Sequence, residues 1–133
     1  MSALRRFAFR VRTAAWIGVA FVRVRLLMRR HPLPELVRVL AAGVVQRRRS
    51  HHPVGLGRAV VAVLRIGPIR ARCLVTSLVL YRLLMEEGYQ PELVIGILPE
   101  APSPMAHAWI EIGGQDVGPP PGEGHHRELM RFS

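Results

Sequence analysis

One cysteine stands in the chain, Cys73, in the stretch RARCLVTSLVLYRLLMEEGY, and His107 follows it in MAHAWIEIGGQDVG. These two residue types are the parts of a cysteine nucleophile. The thiolate is the attacking species, whereas a free thiol is mostly protonated at neutral pH. The apolar pattern predicts a helix from about Arg72 to Glu87, with Cys73 in its first turn. There the backbone N–H groups and the positive end of the helix dipole face the sulfur, and Arg70 and Arg72 add to that pull. A histidine within hydrogen-bond reach takes the thiol proton and later delivers it to a leaving amine. The competing reading is plain packing, since a lone cysteine among apolar residues usually behaves as a small buried hydrophobe.

The elements that must position this pair can be read around it. The cysteine helix is apolar nearly all round, which marks the central helix of a core, and Gly88 is placed to close it in the left-handed conformation. Pro91 to Leu98 is a short apolar run with β-branched residues, the pattern of an inner strand. Met105 to Ile112 alternates, with Met105, His107, Trp109 and Glu111 on one face. Gly113-Gly114 then predicts a two-residue hairpin, with Gln115 to Gly118 as the return strand. Pro119-Pro120-Pro121 ends that strand because proline cannot donate to the ladder. The tail from Gly122 reads as polar and loose, with a final apolar patch at Leu129, Met130 and Phe132.

Upstream, residues 4–30 predict one long helix. Leu4, Ala8, Val11, Ala15, Val19, Val22 and Leu26 recur at spacings of three and four and are expected to face the core, with arginines outside. A second helix is expected from Pro34 to Arg47-Arg48-Arg49, whose charges would suit its dipole. Ser50 to Gly57 has the composition of a linker, and a third helix is expected over Ala59 to Ile66. The domain reading is a basic helical front over 1–57, a catalytic core over 58–118 and a tail over 119–133.

Composition bounds the class. At 133 residues, 50% apolar and 21% charged, the chain has the length and character of one folded domain. A single cysteine excludes an internal disulfide, so a reducing cytoplasm is expected. Residues 1–49 hold twelve arginines and one acid, Glu35, whereas the rest is close to neutral, and there is no lysine. Guanidinium groups suit bidentate contacts with carboxylate or phosphate, so an acidic partner is expected: a peptide, a protein, a nucleic acid or a lipid headgroup. The longest apolar run, Ala14 to Val22, is too short to span a bilayer, although a helix lying on a membrane surface fits the pattern. Nucleic acid is disfavoured by the scarcity of aromatics and the lack of a glycine-rich phosphate loop. The pairs His51-His52 and His125-His126 lack metal-ligand spacing, so neither a metal nor a cofactor is expected.

Cys-Leu at a helix start, a glycine and a strand after that helix, then AHAWIE and a glycine turn resemble the transglutaminase-like cysteine peptidase fold. Within it they are most similar to the leader peptidases of lasso peptide maturation, in the form separate from the leader-recognition module. The resemblance covers about residues 58–118. It implies an α+β, papain-like architecture, with N-terminal helices and a cysteine helix packed on a small antiparallel sheet. It implies removal of the leader from a ribosomally made precursor peptide, with no cofactor. Cys73 would attack the scissile carbonyl, His107 would act as base and then acid, and the Cys73 N–H would help hold the oxyanion. The implied partners are the leader-bearing precursor, a separate leader-recognition protein and a ring-closing cyclase. A non-catalytic scaffold of the same fold, or a basic membrane- or nucleic-acid-binding protein, are the other classes.

The family also has an acid on the strand after the glycine turn, and here Asp116 is the candidate, ahead of Glu111 and Glu123. A regular two-residue hairpin pairs Glu111 with Asp116 and puts His107 opposite Pro120. Asp116 then lies about 13 Å from His107, at about 3.3 Å per residue, too far for a hydrogen bond. Three alternatives follow. The return strand is bulged, another group orients His107, or the triad is incomplete.

Overall fold

A computed structural model describes residues 2–65, 73–97, 106–119 and 127–133. Four helices, α1 (Ala3–Met28), α2 (Leu33–Ala41), α3 (Pro53–Leu64) and α4 (Cys73–Glu86), precede and pack on four strands. These are β1 (Glu92–Ile97), β2 (Ala106–Ile112), β3 (Gln115–Gly118) and β4 (Arg127–Phe132). The sheet is antiparallel in the order β3-β2-β1-β4. The architecture is the expected α+β one, with three helices ahead of the cysteine helix.

The centre is α4. Every residue from Val75 to Leu84 is buried, so all its faces are covered by other elements. It ends at Gly88, whose φ of +82° lets the Tyr89 N–H reach back to the Leu84 carbonyl at 3.0 Å. Helices α1, α2 and α3 cover it on one side and the sheet on the other, with Leu36, Leu40, Leu56, Val60, Leu93 and Ile110 among the core side chains.

Four expectations are corrected. First, α1 buries Ile17, Ala20 and Val24. The stripe expected to face the core points outward, with Leu4, Val11, Val19, Val22 and Leu26 all at least half exposed. The helix is apolar on two sides, and spacing alone does not choose between them.

Second, α2 stops at Ala41, before Gly43 at φ +65°. Arg47 and Arg49 therefore serve another helix end. The Arg47 N–H donates to the Glu86 carbonyl at 2.7 Å, and the Arg49 guanidinium donates to the Glu87 and Gly88 carbonyls at 3.1 and 2.9 Å. Cations do gather at a helix C-terminus, but it is that of α4.

Third, most of the expected linker is helix. α3 begins at Pro53, which fits a first helical position because its missing N–H has no partner to lose there. Gly57, which spoke against helix, is needed for packing. A Cβ there would lie 2.5 Å from the Val117 carbonyl oxygen of β3, so glycine is what lets α3 seat on the sheet edge.

Fourth, the tail contributes β4, paired with the outer edge of β1 from Leu93 to Ile97. Arg131 ties it down across three strands, with carboxylates of Glu92, Glu111 and Glu128 at 3.4, 3.1 and 2.7 Å.

The front is locked to α4 through Glu87, whose side chain is fully buried. Its carboxylate accepts from the Ser50 N–H and hydroxyl, the His51 N–H and His51 Nδ1, at 3.4, 3.0, 3.1 and 3.0 Å. The His51 ring also stacks on Phe9 and Trp16 of α1. Burial pushes the Glu87 carboxyl up, but the hydrogen bonds from His51 and Ser50 and the charge of His51 outweigh it. The net value lies below the ordinary one.

Glu87→Gln is expected to cost about 3 kcal/mol of unfolding free energy in urea titration at neutral pH, since it breaks a buried, hydrogen-bonded charge. A carboxyl held low in the folded state contributes fully above the ordinary carboxylate range, and that contribution is lost as pH falls through the folded-state value. The difference between variant and parent should therefore shrink in acid. A constant difference would mean that the loss is one of shape rather than charge.

Candidate active site

Cys73 is the first described residue of α4 and is half-buried against the main core. Four residues on, and so on the same helix face, is Ser77, whose hydroxyl is fully buried. It donates to the Ala108 carbonyl of β2 at 3.0 Å and anchors the helix beside the histidine strand. The direction of packing follows from the links. The C-terminal end of α4 runs through Gly88 to Pro91 into Glu92, which pairs with Glu111 at the far end of β2. The first turn of α4 and the start of β2 therefore lie at the same end of the molecule.

The faces differ. Ala108, Ile110 and Ile112 join the core around α4, whereas Trp109 and its cross-strand partner Val94 are buried outside it. His107 alternates with Trp109, so it lies on the sheet face away from the helix.

The histidine sits in a built environment. Its ring stacks on that of Trp109, with centroids 5.8 Å apart. Trp109 in turn lies across Gly96, which pairs with His107 on β1. A Cβ at Gly96 would meet the indole at 2.8 Å, so only glycine leaves room for this stack. The indole N–H donates to Glu111 Oε2 at 2.8 Å, which fixes the ring plane.

The return strand is bulged. Ile112 pairs with Gln115 and Glu111 with Asp116, as expected for the glycine turn, but Ile110 then pairs with Gly118 and Val117 is extra. The chain leaves the ladder at Gly118, with φ +115°, and the Pro119 carbonyl accepts a hydrogen bond from the His107 ring. Asp116 Oδ1 accepts the Gly118 N–H at 2.8 Å, holding this corner closed, and its charge acts on His107. Burial pushes the imidazole below its ordinary value. The Pro119 carbonyl and the Asp116 charge push it up, without restoring it. A neutral ring whose N–H is held by a carbonyl has its basic nitrogen fixed on the other side.

Ser77, Gly96 and Pro119 escaped the sequence reading. The adjacent hydroxyls Thr76 and Ser77, one turn after the cysteine in a mostly apolar helix, are the signal for the first. Gly96 shows as a glycine inside a strand pattern, whereas Pro119 carries only the signal of a strand end. Arg70, Arg72, Glu123 and the pair His125-His126 lie outside the described residues. Among the described residues, no three histidine, cysteine, aspartate or glutamate side chains gather as a metal site would require.

The sequence matches the family model described as the Transglutaminase-like superfamily over residues 4–131, and the chain belongs to that superfamily. The match takes in the arginine-rich front as well as the segment from Cys73 to Asp116. The superfamily includes cysteine peptidases. No curated protein and no solved structure matches the chain.

The pKa directions set a test. With its value below 6.5, His107 stays neutral down to more acidic pH than a free histidine. Asp116→Asn keeps an oxygen for the Gly118 N–H but removes the charge that favours the imidazolium. The His107 titration followed by NMR is expected to move further towards acid in this variant. A shift towards alkaline pH, or none, would show that Asp116 does not act on the ring.

Proposed function

We propose that this member of the transglutaminase-like superfamily is a cysteine peptidase that removes the leader from a ribosomally made precursor peptide. The observation that carries the reading is the setting of His107. The ring is buried, held below its ordinary value by that burial, stacked on Trp109 and oriented by the Pro119 carbonyl, which are the properties of a general base. In this reading the His107 ring takes the proton of the Cys73 thiol. The thiolate attacks the carbonyl carbon of the scissile peptide bond, and the carbonyl oxygen becomes the oxyanion. Collapse of that intermediate breaks the C–N bond, with the proton passing from His107 to the departing amine and the acyl group left on sulfur. Water then attacks the thioester with His107 again as base, releasing the leader's carboxylate and the free thiol. Backbone N–H groups at the start of α4, that of Cys73 among them, are suited to hold the oxyanion. Asp116 is a positioning residue, acting through the Gly118 corner and by its charge. A leader-recognition protein would deliver the substrate, and a ring-closing cyclase would take the product.

One observation favours a second reading, a peptide-binding scaffold of the same fold that does not cut. Cys73 packs on the core side of the sheet and His107 lies on the other face. Incubating the full chain with a leader-bearing precursor and its recognition protein, followed by mass spectrometry, separates the two. A peptidase gives a discrete cleavage that Cys73→Ala lowers roughly 10⁴-fold or more, the usual scale for loss of a nucleophile, and that His107→Ala also removes. A scaffold gives no cleavage, or a trace that Cys73→Ala leaves unchanged.

A further inference from the structure

Helix α1 has two apolar faces. One buries Ile17, Ala20 and Val24 against the body. The other carries Leu4, Phe7, Val11, Val19, Val22 and Leu26, exposed by 76, 66, 50, 69, 55 and 56%. At about 100° per residue the two faces lie on nearly opposite sides of the helix. The outward stripe follows the whole element, 26 residues or about 39 Å. Over Gly18 the stripe has a shallow, open dip bordered by Ala15, Val19, Val22, Arg23 and Leu26.

We propose that this outward face docks the protein on the surface of a bilayer containing anionic lipid. Three observations favour lipid over other occupants. The stripe is diametrically opposite the buried face, so the helix can lie on a flat surface without the body colliding with it. Charge is complementary, because α1 holds six arginines and no acid. Arg12 and Arg23 border the stripe on one side and Arg25 on the other, and guanidinium groups so placed reach lipid phosphates while the aliphatic residues enter the acyl boundary. A second copy of the chain would instead bring a like-charged helix against this one, at a net charge of +10 per chain. The helix lies on the bilayer and does not cross it. No helix among the described residues is long and apolar enough to span.

The test uses the full chain and vesicles of phosphatidylcholine with or without 30% phosphatidylglycerol, read by co-sedimentation. Binding is expected to the phosphatidylglycerol vesicles, to weaken as salt rises, and to fall roughly fivefold for each of Arg12→Gln and Arg23→Gln. The double variant Val22→Gln, Leu26→Gln should lose at least about tenfold, because the apolar contact goes while the charge stays. Its circular dichroism should match the parent, since neither side chain is in the core. In Val19→Trp, indole emission should shift to the blue on vesicles. No binding, equal binding by the stripe variant, or equal binding to uncharged vesicles would each overturn the proposal. So would self-association of the chain in solution that the stripe variant abolishes, which would assign the face to a second copy. None of these readings depends on peptide cleavage.

Discussion

One buried carboxylate, Glu87, is the polar hub between the arginine-rich front and α4, beside the apolar core they share. It is withdrawn from water just past the end of α4 and would be costly there unless satisfied from several directions. Ser50 and His51 satisfy it, and they lie in the extended stretch between α2 and α3. Because His51 also stacks between Phe9 and Trp16, the same contact sets where α1 runs. The guanidinium groups of Arg47 and Arg49, lying over Trp16 and Tyr89, close the cluster from outside. The position of α4 along its own axis is thus fixed at its C-terminal end, and the first turn with Cys73 is fixed as a consequence.

The other half of the site depends on small residues. Gly57 lets α3 approach the Val117 carbonyl, and Gly96 lets the Trp109 ring lie flat beneath His107. Gly118 adopts a positive φ where the chain leaves β3, so that the Pro119 carbonyl can meet the imidazole. Gly57 and Gly96 permit close approaches that a Cβ would block, and Gly118 takes a backbone conformation that other residues rarely adopt. The outcome is an imidazole kept neutral by burial and held in one tautomer by a main-chain oxygen.

Patterns with one physical solution were legible in the sequence. The cysteine helix, its Gly88 stop, the inner strand and the hairpin at Gly113-Gly114 all stand where period and turn chemistry put them, as do the first two pairs of the β2–β3 ladder. The failures have a common cause, which is that local pattern was asked a tertiary question. Two apolar stripes on α1 satisfy the helical period equally well, and only the body of the protein decides which is covered. The prolines and glycines of Ser50 to Gly57 spoke for a linker, yet Pro53 starts a helix and Gly57 packs one. The strand over 127–132 is hidden because its side chains, Leu129 and Met130 among them, are mostly exposed and its pairing is main chain to main chain. At the site, residue types pointed to Cys73 and His107. The bulge at Val117 was only one of several ways to reconcile the register, and the choice of a backbone oxygen as partner leaves no trace in side-chain identity.

The close seating of α3 on β3 has a bearing beyond the site. An outer strand offers a row of main-chain groups to which a neighbouring molecule can add its own strand, and that is a common route to aggregation. On the β3 side, Gly57 brings a helix directly over the Val117 oxygen and occupies that template. On the β4 side nothing covers the strand among the described residues, but Arg127, Glu128 and Arg131 line it with charge that an incoming strand would have to desolvate. The two rims of this small sheet are guarded by different means, one by shape and the other by hydration.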